Sequence, residues 1–410
     1  METGQVETKH GNLVQGSARR KKQICGPRDK HVLATTRSGR QLKSSQWGGF
    51  EKIGGDAQEP PLILADYLSY DEMQLSALVS VAVPTLFVNS GGRDSDCLPG
   101  KRGSFQEAGI VVACVGARMV KESRMEAEHM LITPDSDTAR GNGHQHGQIG
   151  AASTRLAPWA RFYGLERFPS HAEAAAEEGR GRYHRIQSEC RRCSVESDCV
   201  WTDNGTKYCK DCMTVRHHDT TPAHAADAAS DLDGFVYKRR IRAVVEPFLV
   251  YASQMGEQHR GTVGQGAHVR VKGLGLGCWW VTPVQEALMK EVYAEVMEAT
   301  HLPGIDVLEF AFFPSGDVPA SPGRIEVRAT RCSFAEPVGE RLLVAMYAWD
   351  SNAFPGNEWW GGKLTMTDDS AAASCSLISS LQHPGVNIER LSAESAEMLT
   401  EEGDLVTLLA

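Results

Sequence analysis

The chain has 410 residues, of which 41% are hydrophobic and 23% charged, and its formal net charge is −9 at pH 7. This composition is typical of a globular protein, and the length allows a sizeable core that needs no disulfides. No stretch approaches the roughly 18 consecutive apolar residues that span a bilayer, and the opening residues lack the apolar run of a secretory signal. We therefore expect a soluble protein without membrane contact.

Residues 1–60 are polar and show no hydrophobic periodicity, which predicts a disordered tail. Ten Lys and Arg residues stand against three acids within residues 1–50, so this tail is basic while the rest of the chain is more acidic than the average. The cluster Arg19-Arg20-Lys21-Lys22 is either a nuclear import signal or, more commonly for such runs, solvated charge. A nucleic-acid partner is expected only if this tail binds one.

Eleven cysteines, an odd number, favour a reducing compartment, with the cytoplasm expected and the nucleus as the alternative. Cys190-x2-Cys193 and Cys209-x2-Cys212 have the spacing that presents four thiolates to one tetrahedral zinc ion. The alternative is four free thiols in a loop, although the polar neighbourhood offers little to bury them in. The prediction is a structural zinc knuckle at residues 190–212, with no organic cofactor.

The predicted elements follow one another along the chain from Pro61. A helix-compatible stretch comes first, at Leu62–Ser80. Two short apolar runs, β-branched and bounded by glycine, predict strands at 85–88 and 110–115. Further strands are predicted at 268–271, just before a glycine turn, and at 307–312, 325–327 and 342–346. Helices are predicted from Pro283, where Pro precedes apolar residues at four-residue steps, and over Ser370–Leu381.

Alternating strands and helices favour an α/β fold with a largely parallel or mixed sheet and helices on its faces. We expect one α/β domain over residues 61–390, interrupted by an insertion at about 135–233 that carries the zinc knuckle, and a C-terminal tail at 391–410. Ligands of such sheets bind beyond the carboxyl ends of the strands. Three turns meet this criterion: 89–93, which contains Asn89, 273–277 and 349–362.

Glycines occur in all three turns, and two of these turns have further features of a ligand site. Gly273, Gly275 and Gly277 follow a predicted strand and precede a helix, a context that suits either phosphate binding or a tight structural turn. The loop from Trp349 combines aromatics, acids, amides and glycines, and burying acids and amides unpaired would be costly. We interpret it as a ligand loop for a molecule with a flat ring, hydroxyls and phosphate; its candidate binding residues are Trp349, Asn352, Phe354, Gly356 and Asn357.

Carboxylates accompany these turns. Asp350 and Glu358 lie in the loop itself, Glu126 and Glu128 lie near a predicted strand start, and Asp368-Asp369 precede the last helix, where anions suit the helix dipole. Asp369 is alternatively the N-cap of that helix.

Several of these segments resemble a family known mainly as a domain of unknown function, the family of the Legionella effector MavL. The resemblance covers about 62–134 and 235–390 and includes Val115-Gly116-Ala117-Arg118, Met125–Ile132, Arg242–Leu249, the 273–277 turn and Tyr347–Glu358. It implies a macro-domain-like α/β fold related to poly(ADP-ribose) glycohydrolase. The loop Trp349–Glu358 is similar to the diphosphate loop of those enzymes, and Glu126-Ala127-Glu128 is a remote version of their paired glutamates.

The resemblance implies an ADP-ribosyl hydrolase that acts on ADP-ribosylated proteins. Hydrolysis of a glycosidic bond uses carboxylates to activate water and assist the leaving group. In the expected order of importance, the candidates are Asp350, Glu358, Asp369, Asp368, Glu126 and Glu128. A non-catalytic ADP-ribose reader and a zinc-containing adaptor that has lost its ligand are the alternatives.

Overall fold

The computed structural model describes part of the chain. The described residues are 34–35, 41–42, 58–60, 63, 74–92, 98–119, 126–134, 151–177, 181–186, 199–201, 207–209, 215–216, 231–277, 279–321, 323–349, 368–378, 397–399 and 405–407. Most of the predicted acidic loop and three of the four predicted zinc ligands lie outside these residues.

The described strands, in chain order, are β1 (Ala34–Thr35), β2 (Gln41–Leu42), β3 (Val81–Leu86), β4 (Ala108–Cys114), β5 (Leu131–Ile132), β6 (Tyr183–Arg185), β7 (Cys199–Trp201), β8 (Lys207–Cys209), β9 (Val215–Arg216), β10 (Asp231–Asp233), β11 (Ala267–Val271), β12 (Ile305–Ala311), β13 (Glu326–Thr330), β14 (Leu342–Ala348), β15 (Glu397–Leu399) and β16 (Leu405–Thr407). The described helices are α1 (Glu126–Met130), α2 (Ala151–Phe162), α3 (His171–Ala176), α4 (Gly234–Val263), α5 (Val284–Ala299) and α6 (Asp368–Cys375).

The central sheet has six strands in the order β13-β12-β11-β14-β4-β3. The five strands from β13 to β4 are parallel to one another, and β3 pairs antiparallel with β4 at the edge. The predicted mixed sheet with flanking helices is therefore confirmed. Strand β3 begins before the predicted position and contains Pro84, which an edge strand tolerates, since no described strand other than β4 pairs with β3.

Both faces of the sheet are covered by helices. Val112 of β4 packs in one core cluster with Val244 of α4, whereas the adjacent Val111 packs in a second cluster with Ala372 of α6. Neighbouring residues of a strand point to opposite faces, so these two clusters lie on opposite sides of the sheet. The result is a three-layer arrangement in which the central strands are buried on both faces.

Local signals in the sequence set the bounds of the long helices. Helix α4 is capped by Asp233, whose carboxylate accepts hydrogen bonds from the backbone N–H groups of Phe235 and Val236. It ends at Gly264, which has a φ of 86° that glycine adopts without strain. Pro283 immediately precedes α5, as predicted.

Parts of the predicted insertion at 135–233 contact the main core. Leu156, Tyr163, Phe168 and Leu232 belong to the same core cluster as α4. Strand β10 pairs antiparallel with both β5 and β6, which ties this region to the segment after α1. The proposed domain limits, including the tails, stay predictions.

Two short antiparallel pairs lie near the ends of the chain. Strands β1 and β2 pair within the predicted basic tail, and β15 pairs with β16. Among the residues that the structure describes, no helix combines the length and apolar character needed to cross a membrane.

Candidate functional site

The carboxyl ends of the five parallel strands meet at one edge of the sheet, here called the carboxyl edge. Ligands of open α/β sheets bind in this position because the loops to the helices begin there. The segments 115–119, 272–283 and 312–315 follow β4, β11 and β12, and Trp349 follows β14. Two of the three turns predicted to bind ligand, 273–277 and the start of 349–362, are thus brought to the same edge.

The glycine turn after β11 touches the segment after β4. A Cβ atom on Gly116 would lie 2.6 Å from the backbone N of Gly275, so only glycine permits this approach. Gly275 itself has a φ of 75°. These two glycines are required by the backbone, but a Cβ on Gly277 would meet nothing within 4 Å. Among the described residues, then, none occupies the space beside Gly277.

Trp349 fixes the start of the predicted ligand loop. Its backbone N–H donates a 2.8 Å hydrogen bond to the carbonyl of Cys114, which joins the ends of β14 and β4. Its partly buried side chain packs against the core cluster that contains α6. The remaining predicted residues of this loop lie outside the described part of the chain: Asp350, Asn352, Phe354, Gly356, Asn357 and Glu358.

A buried lysine links the glycine turn to the last helix. The Lys272 side chain is only 4% exposed, and its ammonium nitrogen lies 3.9 Å from a carboxylate oxygen of Asp368. The same nitrogen lies 4.5 Å from the ring centroid of Phe312, the first residue after β12. Asp368 is therefore at the carboxyl edge, next to the turn that follows β11.

Helix α6 begins at Asp368. If Asp369 were the N-cap, the helix would begin at Ser370, two residues later. Asp369 lies in the first turn and is 3% exposed, while the Asp368 side chain keeps 22% of its surface accessible. Carboxylates in a first turn are favoured by the helix dipole. Of this adjacent pair, Asp368 is the more accessible to a ligand.

Glu126 and Glu128 differ from expectation. They lie near a strand start, as predicted, on the short helix α1 that directly precedes β5, but both are buried. One Glu126 oxygen accepts hydrogen bonds from two nitrogens of Arg240 at 3.3 and 3.1 Å. A buried arginine needs such a counter-ion because an unpaired charge inside a protein is strongly unfavourable. The structure thus gives Glu126 a structural task.

Arg240 also organises the carboxyl edge. Its Nη2 donates to the carbonyls of Ala77, Val115 and Gly116 at 3.2 to 3.3 Å. Because Gly116 touches the glycine turn, this arginine holds the segment after β4 in the position where the two loops meet. The composition of the chain gave no signal of this role, which depends on pairing across distant segments.

The prediction that the turn 89–93 belongs with the other two is wrong. Leu86 at the end of β3 pairs with Ala108 at the start of β4, so the turn follows β3 at the opposite edge of the sheet. The Asn89 side-chain amide donates to the carbonyls of Leu98 and Ser374, and its oxygen accepts from Gly91. Asn89 therefore stabilises the backbone of this turn. It lies away from the carboxyl edge because β3 runs antiparallel to β4.

The sequence did not predict the residues that contact the segment 279–283, between the glycine turn and α5. The guanidinium of Arg118 lies 5.6 Å from the ring centroid of Trp279, and both residues are buried. The side-chain oxygen of Gln285 accepts from the backbone N–H groups of Val281 and Thr282. Arg118 is the last residue of the segment Val115–Arg118, which is part of the family resemblance. That resemblance is the feature of the sequence from which Arg118 could have been identified.

His268 and Arg270, alternate residues of β11, are buried polar side chains on the face of the sheet toward α6. The Glu309 carboxylate accepts from His268 at 2.8 Å and from Arg270 at 2.7 Å. Burial alone would raise the pKa of Glu309, yet the hydrogen bond from His268 and the charge of Arg270 hold that pKa well below its usual value. Burial lowers the pKa of His268. Lys272 continues this series of alternate residues at the carboxyl edge.

Cys114 ends β4 beneath the same loops. Burial raises the pKa of the Cys114 thiol to about 12, and the hydrogen bond with Ser80 opposes this only in part. A thiol must ionise to act as a nucleophile. Cys114 is thus a packing residue.

The zinc prediction lies almost wholly outside the described residues. Cys209 ends β8 and pairs in register with Cys199 of β7, while Cys190, Cys193 and Cys212 are not among the described residues. Within the described ranges, no group of three or more His, Cys, Asp or Glu side chains is placed to hold a metal. A zinc knuckle at 190–212 stays a prediction.

Comparison with known proteins extends the resemblance to most of the chain. The sequence profile of the family described as "ADP-ribosylhydrolase MavL-like" matches residues 15–196 and 206–409. Two Drosophila melanogaster proteins, ADP-ribosylarginine hydrolase CG3568 and ADP-ribosylarginine hydrolase CG2909, are 28% and 27% identical over 87% and 88% of this chain. The chain spans 66% and 65% of the length of these relatives. It belongs to the MavL-like ADP-ribosylhydrolase family.

Proposed function

We propose that this protein binds ADP-ribose at the carboxyl edge of a macro-domain-like sheet and hydrolyses ADP-ribosyl groups from arginine side chains of proteins. The observation that carries the proposal is the meeting of Asp368, Lys272 and the glycine turn at that edge. The names of the two Drosophila relatives support arginine as the modified residue.

The ligand would be held by two loops. The backbone beside Gly277 is open, and N–H groups in a glycine turn bind diphosphate oxygens well. The loop after Trp349 would supply Asn352, Phe354, Gly356 and Asn357 as contacts to the diphosphate and the adenine. In this arrangement Asp350, Glu358 and Asp368 supply carboxylates at the distal ribose, while Glu126 supports the fold.

The reaction is hydrolysis of the bond between the distal ribose and a guanidino nitrogen. A carboxylate orients a water molecule and accepts its proton as the water oxygen attacks the ribose carbon. The carbon–nitrogen bond breaks, its electron pair stays on nitrogen, and that nitrogen gains a proton. The products are ADP-ribose and an unmodified arginine side chain.

The test is to incubate the purified protein with proteins that carry mono-ADP-ribose on arginine, serine or glutamate, and to measure free ADP-ribose. We expect release from the arginine linkage. Calorimetry with ADP-ribose identifies binding independently, so binding without release from any linkage would identify a reader and overturn the hydrolase proposal.

We also propose that Cys190, Cys193, Cys209 and Cys212 bind one structural zinc ion. Four thiolates leave no open coordination position, so the metal would organise this segment and take no part in hydrolysis. Protein purified without added zinc is expected to contain about one equivalent of zinc by elemental analysis. Cys193→Ser should lose it and Cys332→Ser should keep it, whereas less than about half an equivalent in the parent protein would refute the site.

A further inference from the structure

Phe312 has an unusual conformation at the carboxyl edge. It follows β12 directly, and among the described residues it is the only residue other than glycine with a positive φ, at 60°. Its side chain is 43% exposed. Its backbone N–H donates a 3.0 Å hydrogen bond to the carbonyl of Thr330, which helps to hold this conformation.

Core packing does not explain this conformation. A bulky residue in the left-handed region is strained, and such strain persists at functional sites where the surrounding structure holds it. Glycine or asparagine would adopt the same backbone with less strain. The Phe312 ring is 43% exposed, belongs to neither core cluster and faces the Lys272 ammonium, so packing in the core does not account for a phenylalanine at this position.

The neighbours of Phe312 place it near the reaction end of the proposed ligand. The Lys272 ammonium lies 4.5 Å from the ring centroid and 3.9 Å from the Asp368 carboxylate. The Phe312 ring and the Asp368 carboxylate are therefore both close to the Lys272 Nζ atom. In ADP-ribose the diphosphate separates the distal ribose from the adenine, so a ring this close to the candidate acid lies on the side of the distal ribose and the leaving group.

We infer that Phe312 is a specificity residue that stacks against the planar guanidino group of the modified arginine. The inference rests on the proposed function, since it assumes that Asp368 lies at the scissile bond. Guanidinium groups stack favourably on aromatic rings. The Lys272 ammonium already contacts the ring, but the negative charge of Asp368 offsets the charge of this ammonium. Its repulsion of the substrate guanidinium, the second cation at the ring, is therefore reduced.

The experiment compares two ligands, ADP-ribose and a peptide with one ADP-ribosylated arginine, in an Asp350→Asn background that is first shown not to release ADP-ribose during the binding measurement. Phe312→Ala is expected to weaken peptide binding about 3- to 30-fold and to change ADP-ribose affinity less than about twofold. Phe312→Tyr should bind both ligands as the parent does. Phe162→Ala, which removes the other exposed phenylalanine among the described residues, should also bind normally.

A structural role is tested with Phe312→Gly. We expect its urea midpoint to equal or exceed that of the parent, because the backbone strain is relieved, while peptide affinity is lost as in Phe312→Ala. Equal weakening of both ligands would assign the ring to the ADP-ribose moiety and overturn the inference, as would unchanged affinity for both. Absence of ADP-ribose binding by the unsubstituted protein would instead refute the proposed function.

Discussion

The Asp368→Asn variant is expected to release ADP-ribose from ADP-ribosylated arginine at least about 100-fold more slowly than the parent protein, because a positioned general acid or base contributes about 100- to 10,000-fold. Asparagine keeps the size of the side chain but can neither accept a proton nor balance the Lys272 ammonium 3.9 Å away. The measurement is kcat and KM for an arginine-linked substrate, with calorimetry on ADP-ribose to show that the ligand still binds.

Asp317→Asn is the matched control. Asp317 is an exposed acid in the segment after β12, and its substitution removes the same charge without touching Lys272. We expect its kinetics to equal those of the parent. A normal rate for Asp368→Asn would exclude this residue from catalysis and leave Asp350 and Glu358 as the acids to test, each by its amide.

The sequence was sufficient to predict the strands of the central sheet and one turn at its carboxyl edge. Strands β12 and β14 are mostly apolar runs, as expected of parallel strands buried on both faces, and β11 could be located from Val269 and Val271 just before the glycine turn. The turn 273–277 could be located because three alternating glycines between a strand and a helix are typical of a tight turn. These features are local, so a single sequence carries them.

Long-range pairing could not be predicted in the same way. Asn89 follows a strand as Trp349 does, but only the antiparallel pairing of β3 shows that it lies at the other edge. Glu126 has the sequence character of a catalytic acid, yet its partner Arg240 is far away in the chain. Lys272 and Phe312 approach each other only because β11 and β12 are neighbours.

Arg240→Met is expected to lower the free energy of unfolding by about 3 to 5 kcal/mol, the usual cost of leaving one member of a buried ion pair alone. The substitution leaves the Glu126 carboxylate buried without its cation and removes the donor to the carbonyls of Val115 and Gly116. Urea denaturation followed by circular dichroism measures the change.

Arg242→Met provides the comparison on the same helix. Arg242 pairs with Glu246 one turn away, and both side chains are about one third exposed. Partly exposed pairs of this kind contribute at most about 1 kcal/mol, so this variant should remain close to the parent. Similar losses for the two variants would contradict a special role for the buried pair.

Glu126→Gln separates the two roles that Glu126 could have. If its carboxylate only balances Arg240, the variant has a lower free energy of unfolding. In that case kcat of the folded protein stays close to that of the parent, and any loss of kcat/KM is matched by an equal loss of ADP-ribose affinity. If Glu126 instead acts on the substrate, kcat falls by orders of magnitude at unchanged affinity. We expect the first result, because Arg240 already holds the Glu126 carboxylate within the core that supports the glycine turn.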